Sequence, residues 1–206
     1  MKRCGRILMR GDFTVTEQQK KYKALIKSML SKKRYTHCCN VAEMCKKLAQ
    51  INGADPEKAF TAGLLHDIHK EIDPETMKLE VLKSGFAVDA VELESKPLWH
   101  AIASAYYCRA ELGITDEDML NAIRYHTVGR AEMSTLEKIV YLGDLVSAER
   151  DFKDVEKYRK YVMDNLDNAM FQVMKWSIPN TIEKGGKIPV CSINAYNYYM
   201  SFRKDK

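Results

Sequence analysis

Residues 55–72 read DPEKAFTAGLLHDIHKEI. Asp55 and Pro56 are the residue types of a helix N-cap and first helical position. The AFTAGLL run that follows packs inward, which predicts a helix continuing through His66 to about His69. Solvated residues would be the ordinary sequel. Two imidazoles, an aspartate and a lysine come instead, in a chain with only five histidines. Imidazole is a poor choice for a merely solvated helix end, so the stretch marks a helix and a site together.

Outward from this segment the chain reads as helix after helix. Residues 16–31 carry Tyr22, Leu25, Ile26, Met29 and Leu30 at helical spacing, and 35–52 continue until Gly53, after a break at Lys32-Lys33. Asp73-Pro74 opens a helix that ends near Gly85, and Pro97 opens one holding Trp99 and His100, closed by Gly113. Thr115 to Glu117 cap a helix ending around 125–127, and Ser134 to Glu137 cap an apolar helix through Ala148. A long amphipathic helix is predicted over about 154–176, then a loop with Pro179, Gly185, Gly186 and Pro189, then a tyrosine-rich last helix. No strand pattern, repeat or low-complexity segment interrupts the series. The expected fold is all-α, one helical bundle over residues 14–206, with 1–13 a loose N-terminal extension.

Composition narrows the function classes. At 206 residues with 46% hydrophobic and 30% charged residues, the chain can build a full core and is neither disordered nor membranous in character. No run approaches the roughly 18 apolar residues of a membrane span, and the apolar run Ile7 to Met9 is too short for a secretory leader. A cytoplasmic location without a membrane partner is expected. The six cysteines lack CxxC spacing and read as reduced thiols. A net charge of +5 suits an anionic ligand but is modest for a nucleic-acid binder. Nucleic acid is therefore not the expected partner, and a homodimer stays open.

The chemistry emerges when the histidines are placed on the helices. His37 lies in the first turn of its helix, His66 and Asp67 near the end of the third, His100 in the first turn after Pro97, and His126 at the end of the next. Asp144 interrupts the apolar run IVYLGDLVSA, where an unpaired carboxylate would be costly. Singly, each has a plainer reading as a core or capping residue. Together, four imidazoles and two carboxylates on separate helices form a ligand set for two divalent first-row metals, iron, manganese, zinc or nickel rather than calcium or magnesium. Adjacent helical positions point about 100° apart, so His66 can face one metal while Asp67 bridges two. Two metals about 3.5–4 Å apart can clamp a phosphoryl group during in-line displacement.

The order His37, His66-Asp67, Asp144 in an all-α chain is similar to the HD-domain metal-dependent phosphohydrolases. The segments RYTHCCNVAEMCKKLA (34–49), AGLLHDIHKE (62–71), WHAIASA (99–105), AIRYHTVGRAEMSTLEKIVYLGD (122–144) and AERDF (148–152) resemble the YqeK branch, the symmetrical diadenosine tetraphosphate hydrolases. The resemblance covers about residues 16–204. It implies that His37, His66, Asp67 and Asp144 hold one metal and that Asp67, His100 and His126 hold the other, with iron the associated metal. It also implies nucleotide contacts from Arg34, from Asp67, Ile68, His69 and Lys70, from His100, His126, Asp144, Leu145 and Arg150, and from the loop before the last helix, IPVCSINAYNYY (188–199), through Pro189, Ser192 and Asn194. His69 departs from the family pattern, where a small or polar residue is often found.

The implied activity is cleavage of diadenosine tetraphosphate and related dinucleoside polyphosphates to two ADP by a hydroxide bridging the metals. Asp67 and Lys70 are the expected catalytic residues, Lys70 beside a non-bridging oxygen or the leaving group. Arg34 and Arg150 can clamp phosphates bidentately, as lysine cannot. The same ligands would also serve a nucleotide phosphatase or phosphodiesterase with another substrate. A non-catalytic helical module, stapled by metals and binding RNA or a ribosomal partner, is the reading of a different class.

Overall fold

The structure is a computed structural model that describes residues 16–202, so the expected N-terminal extension lies outside the described residues. Among them there are eleven helices and no strand: α1 Glu17–Met29, α2 Lys32–Asn52, α3 Pro56–Leu65, α4 Pro74–Lys83, α5 Ala90–Glu94, α6 Lys96–Ala110, α7 Glu117–Arg124, α8 Thr135–Val146, α9 Val155–Asp164, α10 Leu166–Glu183 and α11 Val190–Met200. The all-α expectation holds. None of these helices, among the described residues, is long and apolar enough to cross a membrane.

Local chemistry explains most boundaries and several departures. The Ser31 hydroxyl caps α2 by accepting from the Arg34 amide, so Lys32 and Lys33 form a first turn rather than a break. The Asp55 carboxylate accepts from the amides of Glu57 and Lys58, but α3 stops at Leu65, four residues before His69. Beyond it the backbone tightens into i→i+3 bonds, Ile68 to Leu65 at 3.1 Å and Lys70 to Asp67 at 2.9 Å. The single helix expected over 154–176 is two. Asn165 adopts an extended conformation, its amide closing α9 on the Tyr161 carbonyl at 3.0 Å while its side chain accepts from the Asn168 amide at 2.9 Å. The cluster DNLDN at 164–168 was the missed signal. Pro179, expected in a loop, lies inside α10. Lys175 and Pro179 are both exposed, so the carbonyl deprived of its donor lies on the solvated side.

The main core joins α2, α3, α7, α8 and α10, and a smaller one of Met77, Val81, Trp99, Ile102 and Ala103 lies between α4 and α6. Cys45 of α2 is where three site-bearing helices meet. It is fully buried, and a methyl group on Gly63 of α3 would come within 2.9 Å of its sulfur, one on Gly143 of α8 within 2.7 Å. The two glycines thus let α3 and α8 approach α2 closely, just before His66 and Asp144. Because the sulfur is held from both sides it has no room to yield. Gly143→Ala should therefore destabilise the chain by about 1–3 kcal/mol, and Cys45→Ala in the same chain should recover most of that. Urea denaturation of the two variants checks this; equal losses would show that the sulfur is not the obstacle.

Candidate metal centre and active site

Six side chains from five helices and their adjoining turns converge. His37 Nε2 lies 3.0 Å from Asp144 Oδ1, 3.2 Å from His66 Nε2 and 3.8 Å from Asp67 Oδ2. His66 Nε2 lies 3.6 Å from Asp67 Oδ2 and 3.9 Å from Asp144 Oδ1. On the other face of Asp67, Oδ1 lies 3.2 Å from His100 Nε2 and 3.5 Å from His126 Nε2, and those two nitrogens are 3.3 Å apart. His37, His66, Asp67, His100 and His126 are buried, Asp144 partly so. Three overlapping sets of ligand atoms each fall within 4.8 Å: His37, His66 and Asp67; His66, His126 and Asp144; Asp67, His100 and His126.

The backbone orients the rings. Nδ1 of His66, His126 and His100 donates to the carbonyl three residues earlier: Gly63 at 2.7 Å, Ile123 at 2.7 Å and Pro97 at 2.9 Å. With Nδ1 protonated, each Nε2 turns a lone pair inward, the arrangement of metal-ligating histidines. His66 caps the C-terminus of α3 and His126 follows that of α7, so two helix ends direct partial negative charge at the cluster. Asp67 Oδ1 is buried with no hydrogen-bond partner. An ionised oxygen facing two imidazole lone pairs requires a cation, and the donor set, four imidazoles and two carboxylates, fits divalent first-row metals.

Electrostatics point the same way. Burial, the largest influence on His66, lowers its pKa to about 4, and burial holds His100 well below its usual value. Burial opposes ionisation of Asp67 and Asp144, but positive charge at the surrounding histidines, with Arg150 beside Asp144, outweighs it and keeps both carboxyls below the ordinary range, a duty that would pass to bound cations once the rings are neutral. His37 is raised: burial disfavours its cation, but contact with Asp144 and Glu149 outweighs that. A metal at this position would displace that proton.

The rim is cationic. Arg34 Nη1 donates to Asp67 Oδ2 at 2.7 Å, while Arg150 pairs with Asp144 Oδ1 and donates through Nε to the Asp144 carbonyl at 2.9 Å. Lys70 Nζ is 2.9 and 3.1 Å from the His100 ring nitrogens, and burial lowers its pKa. Leu145 joins Arg150 in the wall of an adjacent cavity. Other expected residues lie elsewhere. The Ile68 side chain is fully buried in the core, leaving only its backbone for a ligand. His69 turns away to Glu80, 2.6 Å from its Nδ1, and to the Tyr107 ring at 4.1 Å. The expected loop 188–199 is mostly α11. Pro189 and Ser192 line a smaller cavity, the Ser192 hydroxyl donating to the Val128 carbonyl at 2.7 Å, and Asn194 is exposed on a groove with Arg124 and Tyr125.

Glu149 was not foreseen. It bonds His37 Nδ1 through Oε1, which also accepts from Ser147 Oγ at 2.7 Å, and its Oε2 accepts from Asn40 Nδ2 at 2.7 Å. It lies within the AERDF segment at 148–152, but its partner is 112 residues away, a separation local pattern does not bridge. Glu149→Ala should weaken metal binding about 10–100-fold, the usual cost of losing a carboxylate behind a ligating histidine. Metal titration of the two chains measures it; equal affinity would reduce Glu149 to a surface contact.

Comparison with known proteins places this geometry. The model of the HD domain matches residues 34–149. A symmetrical bis(5'-nucleosyl)-tetraphosphatase from Halalkalibacterium halodurans is 36% identical over 180 residues, 87% of this chain and 96% of that protein. The one from Bacillus subtilis is 34% identical over 178 residues, 86% and 95% of the two chains. A solved structure from Clostridium acetobutylicum, described as a predicted HD superfamily hydrolase involved in NAD metabolism, superposes with a TM-score of 0.85 at 35% identity, covering 89% of this chain and 97% of that one. With the HD-domain match over more than half its length and this similarity along nearly the whole of its relatives, the chain belongs to the HD-domain family, in the branch of the symmetrical bis(5'-nucleosyl)-tetraphosphatases.

Proposed function

We propose that this chain hydrolyses diadenosine tetraphosphate, and related dinucleoside polyphosphates, symmetrically to two ADP. The observation that carries the reading is Asp67, whose two carboxylate oxygens face separate histidine pairs, one of them with no hydrogen bond. His37, His66, Asp67 and Asp144 would hold one divalent ion and Asp67, His100 and His126 the other, with Asp67 bridging. Iron is the metal we assign first; manganese suits the same ligands. When bound, two such ions screen the phosphate charge and acidify a water for in-line attack.

The chain's own residues supply the rest. Imidazoles held neutral by burial present lone pairs without first losing protons. Arg34 and Arg150 neutralise the carboxylates from the rim; cations at the centre would take over that duty and leave the guanidiniums to grip phosphate oxygens bidentately. Lys70, beside His100, would balance charge on the departing ADP.

Metal analysis of anaerobically purified protein, joined to chromatography of the products from diadenosine tetraphosphate, tests the proposal. Two metal ions per chain and ADP as the only nucleotide product are expected; ATP with AMP would overturn symmetrical cleavage. Bound metal without turnover would point to another nucleotide substrate. Absence of both after reconstitution would favour the non-catalytic binding module.

A further inference from the structure

A cavity of about 450 Å³ opens from the cluster. His126, Asp144 and Arg150 of the cluster and its rim line it, and so do Phe152, Trp176 and Lys184. Phe152 and Trp176 are stacked, ring centroids 5.5 Å apart at 14°, and Tyr158 supports them at 6.0 and 5.5 Å. Tyr158 is buried, whereas Trp176 is 37% exposed. Core packing accounts for the buried ring; it does not account for an indole kept open on a cavity wall with the polar side chains of Ser177 and Asn180 beside it. A rigid aromatic ring with an accessible face, near hydrogen-bonding groups and cations, is the composition that receives a nucleobase attached to phosphates.

The position of the cavity matches the symmetry of the substrate. A smaller cavity of about 110 Å³, which includes Pro189 and Ser192, adjoins it and shares Thr127, Tyr141 and Ser177. Thr127 Oγ1, on that shared wall, is buried without a hydrogen-bond partner. A molecule with two nucleosides, cut at its centre, must extend from the cluster in two directions, and one small cavity beside Pro189 and Ser192 has room for no more than part of it.

Resting on the hydrolase reading, we propose that the larger cavity seats one nucleobase of the dinucleotide against Trp176, with Asn180 meeting its polar edge and Lys184 and Arg150 facing the attached phosphates. Trp176 is thus a determinant of specificity for a second nucleoside rather than a core residue.

Fluorescence and kinetics test this together. Trp99 lies in the smaller core, so Trp176 is the tryptophan a ligand in the cavity can reach. With metal-loaded protein, a diadenosine tetraphosphate analogue carrying a methylene in place of the central bridging oxygen should quench tryptophan emission, inorganic tripolyphosphate should not, and Trp176→Phe should abolish the change. Trp176→Leu, which keeps apolar bulk without an aromatic face, should lower kcat/KM for diadenosine tetraphosphate about 10–100-fold at unchanged metal content, and Trp176→Phe should restore it to within about threefold, since a phenyl ring still offers a stacking face. Equal quenching by tripolyphosphate, no quenching by the analogue, or a wild-type KM in Trp176→Leu would overturn the proposal. Failure of the wild-type chain to form ADP would instead remove the hydrolase reading, and the quenching would still report whether the cavity takes a base.

Discussion

Asp67→Asn is expected to lower kcat/KM for diadenosine tetraphosphate more than about a thousandfold and to reduce bound metal from two ions to at most one, with the helical circular dichroism kept. The reason lies in the two oxygens. Oδ2 faces His37 and His66, while Oδ1 faces His100 and His126 without a hydrogen bond. An amide preserves the shape but removes the charge that lets one side chain serve two cations, and its NH2 group cannot ligate. The fold should tolerate the change, because the substitution also removes a desolvated carboxylate whose lost pairing with Arg34 offsets the gain. Metal analysis and turnover are read on one preparation. Undiminished turnover with one ion or none would sink the dinuclear model. Salt-sensitive RNA binding that survives the substitution would argue for the binding module.

Lys70→Met should lower kcat by about a hundredfold while both metal ions stay bound. The structure buries much of the side chain, lowers its pKa through burial, and brings Nζ to 2.9 Å from His100 Nε2. Burying an ammonium is costly unless negative charge is close by; Asp67 and Asp144 supply it here, and phosphate would do so during turnover. Methionine keeps the length and apolar stem without the charge. Unchanged kinetics would leave Lys70 without a part in turnover, and loss of metal would show that it acts by holding His100 in place.

The legible part of this protein lay in short-range chemistry. Caps such as Asp55 and Ser134, and the stops at Gly53 and Gly113, are satisfied within a few residues of themselves, so the helices they bound could be read directly. The errors arose where one residue does two jobs, as Asn165 ends α9 and starts α10, or where solvent rescues a breaker, as at Pro179. Residue types and order likewise picked out His37, His66, Asp67, His100, His126 and Asp144, the six side chains the fold brings together, since imidazoles and a carboxylate placed among apolar runs are unusual without a polar or cationic partner.

How those six meet was decided by packing between distant segments. Cys45 between Gly63 and Gly143 sets how closely α3 and α8 approach α2. Only then does one oxygen of Asp67 face one histidine pair and one the other, Glu149 reach His37, and His69 turn to Glu80. The sequence by itself determined an all-α chain, because capping and periodicity act over a few residues, and it supplied the imidazoles and carboxylates of the cluster. Only the tertiary structure decided which histidines face which oxygen of Asp67, the partner behind His37 and the aromatic cavity beside Arg150, because each depends on distances across helices that no local pattern encodes.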